Sequence, residues 1–470
     1  MNNNQQNVLD DDRIGRLLLK LSLPAFFGMA VMTLYNVVDT IFIGHYVGPL
    51  GIAALSIVFP VQMLSMGIGQ MMGMGGGSLI SILIGGNNIA RAERALGNVV
   101  TPAIVLSAVL MIIGLSNTDF WLRLIGATET ILPYARDYMQ IILVGMFFQT
   151  FAMVLNFLVR AEGNARVPMT GMIIGAGVNI ILDAIFIIPL GMGVRGAALA
   201  TIIAQLISVM YFVGYYLTGR SFLKVHFRNL IIEWGILRSI LAIGVASFAR
   251  TMAGSLSAFV VNRTLGAYGG DLALSTFGII NRIMMFAVMP GIVIGQGLQP
   301  VLGFNYGAKR YDRALRAIKI AIATATACGT GVFLVLYFLP EPFIRIFTPD
   351  SELISLGSYA ARRIFFFLYL IGFMMVGSLI FQSIGKATKS FVTSVARPFL
   401  FLLPSVFILP HYWQLDGVWL AFPFTDALTF ILTLILLIPQ IRELRRKDIF
   451  TGDGAVIEPT ETAFLIKATE

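Results

Sequence analysis

The chain has 470 residues, 57% of them hydrophobic and 12% charged, with mean hydropathy +0.85 and a formal net charge of +9. So few charges, against the roughly 25% of a soluble protein, exclude a water-soluble globular domain and require an integral membrane protein. The basic excess sits between apolar runs and forms no extended aromatic and basic surface, so it predicts topology signals and no nucleic-acid partner, and the single Cys328 excludes a disulfide and is expected to pack within its apolar run.

At the N-terminus, MNNNQQNVLDDD is polar and acidic, and Arg13, Arg16 and Lys20 precede a long apolar run with no small-residue cleavage site. The first helix is therefore expected to stay in the mature chain, behind a cytoplasmic tail over residues 1–16. Apolar runs of about 20 residues, enough to cross about 30 Å of hydrocarbon as helix, follow along nearly the whole length, and barrel-type alternation is absent. They are 17–43, 52–84, 99–117, 131–158, 168–189, 195–217, 238–264, 272–304, 316–339, 359–384, 390–410 and 417–440. Twelve spans put both termini on one side. Loops after even-numbered spans hold Arg91, Arg94, Arg160, Arg166, Arg220, Lys224, Arg228, Lys309, Arg310, Arg313, Arg316, Lys386 and Lys389, whereas the opposite loops hold chiefly Arg123, Arg195, Arg263 and Arg345. The positive-inside rule then predicts a multi-pass protein of the cytoplasmic membrane with both termini in the cytoplasm, and the tail 441–470, opening IRELRRKDIF, agrees.

The chain repeats internally. ALS at Ala54–Ser56 recurs at Ala273–Ser275, RAERAL at Arg91–Leu96 as RYDRAL at Arg310–Leu315, AEGNA at Ala161–Ala165 as SIGKA at Ser383–Ala387, and GAALA at Gly196–Ala200 as GVWLA at Gly417–Ala421. Four matches in one order at nearly one offset predict an all-α protein of two pseudo-symmetric six-helix bundles, 17–217 and 238–440, joined by a basic cytoplasmic linker at 218–237.

Two acids interrupt the apolar runs of the first half: Asp39 in TLYNVVDTIFIG and Asp183 in GVNIILDAIFIIP. An acid inside the membrane costs roughly 2.5–3.5 kcal/mol on insertion scales, so it marks a function or a partner. Both lie within roughly 10 Å of the outer ends of outward-running helices, at about 1.5 Å per residue. Tyr138 and Thr201, entering from outside, fall at the same level, and Asn179 and Tyr35 lie one turn from Asp183 and Asp39. These six, with Asn36 beside Tyr35, predict one polar cluster; interhelical hydrogen bonding is the bland account of Tyr35, Asn179 and Thr201. Arg250, Arg282, Arg397 and Asp426 also lie in or near spans and are expected to pair among themselves as bridges or a gate. Met284, Met285, Phe286 and Met289 in span eight and Phe373 in span ten are soft enough to line a promiscuous substrate cavity, although packing explains them equally well.

These residues carry a resemblance. The two six-helix lobes, the opening LSLPAFFGMAVMTLYNVVDTIFIG, the GVNIILDAIFIIP segment and GVRGAALAT resemble the multidrug and toxic compound extrusion (MATE) family, in its MepA-like and DinF-like branches, over about residues 15–440. The resemblance implies a secondary transporter with no enzyme activity, no cofactor and no bound metal. It would work as a monomer in the lipid bilayer and export small organic cations by alternating access against H+ or Na+. It further implies a first-lobe ion site at Asp39, Tyr138, Asn179, Asp183 and Thr201, where Na+ is the alternative to H+, and a bending proline at Pro24. Spans seven and ten contain no acid, which departs from members that couple through the second lobe. Physically, a proton and a cationic cargo competing for the same acid pair is antiport. The main alternative is a flippase of lipid-linked oligosaccharides from the same superfamily, whose cavity would need several Arg or Lys for the diphosphate. GMGGGS at Gly73–Ser78 lacks the lysine of a phosphate loop and is expected to serve close helix packing.

Overall fold

The computed structural model describes residues 9–452, so the outer parts of the tails 1–16 and 441–470 lie outside the described residues. No strand occurs among them. The first six spans are α1 (Ile14–Tyr46), α2 (Pro49–Gly85), α3 (Ile89–Ser116), α5 (Leu132–Ala161), α6 (Arg166–Ile187) and α7 (Gly193–Leu217), with a short connecting helix α4 (Thr118–Ile125) between the third and fourth. A 3-10 turn at Phe227–Leu230 leads into α8, Trp234–Gly307, a continuous run broken at Gly270, where φ is +59°. Only glycine takes that backbone cheaply, so the run makes two spans joined by a tight turn.

The remaining spans are less regular. After α9 (Tyr311–Phe338) and the six-residue α10 (Pro340–Arg345), the tenth span is α11 (Ser351–Ile364) and α12 (Leu368–Ser383), bent by 51° at the break. The eleventh is α13 (Ala387–Val395), a π-helical stretch over Ala396–Leu402 and the start of α14 (Leu403–Gly452), which breaks again at Trp413 and Gln414 before the twelfth. Twelve helical passes result. The expectation of one continuous tenth span over 359–384 is corrected by this bend, for which the local sequence Phe365–Phe367 contains no Pro or Gly. Cys328, expected to pack, is exposed on α9.

The chain forms two compact units that divide inside helices rather than in the linker. Leu23–Phe248 belongs to one; Asp12–Ser22 and the chain from Ala249 belong to the other. The first changeover falls beside Pro24, within a helix that is unbroken from Ile14 to Tyr46. Pro24 has no backbone N–H to offer Lys20, so the bend that the sequence expects would be cheap here. In the first unit α2 packs on α3 and α5, α5 on α3 and α7, and α6 on α7. The glycines of GMGGGS serve these contacts: a Cβ on Gly73 would meet Phe157 at 2.7 Å, on Gly76 Val99 at 2.1 Å, and on Gly75 the carbonyl of Ile240 at 2.3 Å. Contact with three helices within about one turn leaves no room for a phosphate.

Candidate functional site

The polar cluster of the first unit is positioned by an apolar layer. Ile43 of α1, Ile187 of α6 and Ala197 at the start of α7 form one buried cluster, flanked by Phe42, Val47 and Leu55. Asp39 lies four residues before Ile43, Asp183 four before Ile187, and Thr201 four after Ala197. In an α-helix that spacing stacks side chains one turn apart on one face, so three polar residues on three helices lie one turn from the layer. A second apolar group holds Tyr138 of α5 against Ala54, Val58 and Ala198.

Hydrogen bonds tie part of the cluster together. Asn179 Nδ2 donates to Thr201 Oγ1 at 3.4 Å, and Thr201 Oγ1 donates to the Ala197 carbonyl at 2.9 Å. Gln62 Nε2 of α2 donates to the Tyr138 hydroxyl at 3.4 Å. Asp39 and Asp183 lie within electrostatic range of each other, and Tyr35 and Tyr138 within range of both. Asn36 points away, exposed, with Nδ2 on the Met32 carbonyl at 2.7 Å.

What the cluster lacks is a donor for its acids. Asp183 is fully buried, and neither of its carboxylate oxygens has a hydrogen-bond partner among the described residues. Oδ1 of Asp39 and Oδ1 of Asn179 are likewise buried and unmatched, as is Oε1 of Gln205, one turn after Thr201. No arginine or lysine pairs with either acid among the described residues. Four oxygens on three residues, all acceptors, form a donor set for a proton or a small monovalent cation. Among the described residues no group of three His, Cys, Asp or Glu could hold a metal ion.

Sequence reading missed Gln62 and Gln205. Each is an isolated amide in an apolar stretch of helix, and only its place beside Tyr138 or Thr201 in the fold gives it meaning. Of the other expected residues, Arg397 Nε pairs with Asp426 Oδ1 at 2.7 Å, with Asp426 fully buried and its Oδ2 unmatched. Arg250 is half-buried, whereas Arg282 is exposed, correcting the expectation that all four groups pair. Met285 and Phe286 are exposed, Met284 is half-buried, and Met289 is buried. Phe373 packs against the core of its unit, with Phe430 at 5.1 Å.

The chain has relatives in sequence and fold. A family model described as MatE matches the chain twice, over residues 24–185 and again over 246–408. The multidrug export protein MepA of Staphylococcus haemolyticus is 26% identical over 420 residues, covering 89% of this chain and 92% of that protein, and its Staphylococcus aureus (strain MSSA476) counterpart is 24% identical with the same coverage. Among solved structures, a MOP superfamily transporter from Pyrococcus furiosus is 27% identical with a TM-score of 0.89, over 95% of this chain and 99% of that one. A chain called protein A is 40% identical with a TM-score of 0.87, over 93% and 98%.

Proposed function

The chain belongs to the MatE family of membrane transporters, and from that membership we propose that it is a secondary antiporter that exports amphipathic organic cations in exchange for protons by alternating access. The observation that carries this reading is the set of unmatched oxygens on Asp39, Asn179 and Asp183. A bare carboxylate in a buried site without a donor is costly, by several kcal/mol per ion. Its charge must be met by a proton or by a cation. Cargo and proton then compete for one acid pair, and because only one is bound at a time, the downhill movement of one drives the other.

Tyr138, held by Gln62, and Thr201, bridging Asn179 to α7, would orient the acids rather than titrate. Pro24 would let α1 bend and change how Asp39 faces Asp183. Sodium would use the same oxygens. The flippase reading gains little support, since Arg397 is already committed to Asp426. A cytoplasmic-membrane location with both termini inside, and a monomeric working unit, complete the proposal.

The test is proton release from purified protein on adding a lipophilic cation such as ethidium, together with dye uptake into inverted vesicles under separate proton and sodium gradients. Asp39→Asn and Asp183→Asn keep shape and remove the titrating charge, so each is expected to fold, to bind dye and to release no proton. Asn179→Ala should weaken release without abolishing it. Uptake that persists on a sodium gradient alone would overturn proton coupling, and normal release from both Asp variants would overturn the site.

A further inference from the structure

The second unit carries a charge that the coupling chemistry does not use. In the second limb of α8, after the break at Gly270, Asp271, Ser275, Gly278 and Arg282 are all exposed, at spacings of four, three and four residues. Those spacings align them along one face of the helix. The composition of this face says what it borders. Along the middle of α3 the exposed side chains are aliphatic, Val105, Val109, Ile112 and Ile113, as a lipid-facing surface should be. The α8 stripe has a carboxylate, a hydroxyl, a glycine and a guanidinium instead, with Asn281 exposed beside Arg282.

Depth sharpens the contrast. Arg282 lies twelve residues beyond Gly270, about 18 Å along the helix, near the middle of a hydrocarbon layer of about 30 Å. An arginine facing lipid there is costly, and arginines at this depth face water-filled space or a partner. No hydrogen bond or ion pair engages Arg282 among the described residues. Asp271 is three turns away at the outer end. Asp426, inside the twelfth span of this unit, is already held by Arg397 at 2.7 Å. Met285 and Phe286, exposed one turn further in, add an apolar, polarisable surface next to the guanidinium.

We propose that Arg282 with Met285 and Phe286 forms an anion-recognising subsite, which takes the carboxylate or sulfonate of an amphipathic cargo while its apolar body rests on the Met and Phe. This rests on the export reading above and assigns the side chains that would read the anionic group of an amphipathic cargo. A planar guanidinium suits a single carboxylate or sulfonate in a bidentate pair. One unpaired arginine suits one such group better than a diphosphate, which calls for several.

The experiment uses a matched dye pair, tetramethylrhodamine with its free carboxylate and its methyl ester, which lacks the anion. Uptake of each into inverted vesicles and binding of each to the purified full chain are measured for wild type, R282Q, R282K and G278D. A Cβ on Gly278 meets nothing within 4 Å, so the new Asp fits and sits one turn from Arg282, positioned to neutralise it. Wild type should carry both dyes. R282Q and G278D should each raise KM for the carboxylate dye about tenfold or more and change the ester less than about twofold, with R282K intermediate. Equal effects on both dyes, or wild-type transport of the ester alone, would overturn the subsite and leave the export reading standing. Transport of neither dye would overturn both.

Discussion

At the C-terminal end of α5, Glu162 shows a buried carboxylate that does have donors. Ser221 Oγ reaches it at 2.9 Å, the Phe222 N–H at 3.1 Å and the Tyr215 hydroxyl at 3.4 Å, so the loop after the fourth span is fastened to the start of the inter-lobe linker. Burial nevertheless wins: it lifts the carboxyl from 4.5 to about 7, with the bonds from Ser221 and Phe222 pulling the other way. Because the folded value lies above the unfolded one, the folded state holds an extra proton between about pH 4.5 and pH 7. Stability contributed by that proton is complete below the window and lost as pH rises through it. At about 1.4 kcal/mol per factor of ten in proton affinity, the effect is at most about 3.5 kcal/mol. Thermal unfolding in detergent should therefore give a lower Tm at pH 8 than at pH 5. In Glu162→Gln most of that difference should vanish. An unchanged pH dependence in the variant would assign the effect to other groups.

The helices themselves meet through glycine where α2 crosses the first limb of α8. A Cβ on Gly75 would lie 2.3 Å from the Ile240 carbonyl, and one on Gly244 2.0 Å from the Met71 carbonyl, so each chain's backbone occupies the space that the other's side chain would need. Backbone cannot swing aside as a flexible side chain can. Gly75→Ala and Gly244→Ala should each cost about 1–3 kcal/mol through overpacking, despite the better helix propensity of Ala. Gly254→Ala, later in α8 with open space around it, is the control and should be neutral or stabilising by up to about 1 kcal/mol. Melting temperatures of the three purified variants decide it, and equal stability of all three would mean that the crossing relaxes freely. At this scale the sequence reads well where apolar length and Pro or Gly punctuation set the element. It reads poorly where packing does, as at the bend after Ile364 and the π-helical stretch at Ala396–Leu402, since neither Phe365–Phe367 nor ARPFLFL announces its geometry.

Across the whole molecule, the internal repeat was legible because four short motifs recur in order, and the tandem MatE match follows the same halves. The first-lobe acids were legible because carboxylates are rare in apolar runs. The exact places where the compact units divide were not, since no composition change marks Ser22 or Phe248 inside their helices. The halves also differ in charge: the first carries two acids without a base, the second an acid already paired with Arg397. That difference predicts opposite responses to the same substitution. Asp426→Asn leaves Arg397 without its counter-ion, and breaking such a buried pair from one side typically costs about 3–5 kcal/mol, so Tm should fall. Replacing both partners, as Arg397→Met with Asp426→Leu, removes the stranded charge and should restore most of that loss. If coupling belongs to the first lobe alone, the double variant should release a proton on binding ethidium as wild type does, whereas Asp183→Asn should bind dye without release. Full recovery of Tm with loss of proton release in the double variant would instead make the Arg397 and Asp426 pair a second coupling element.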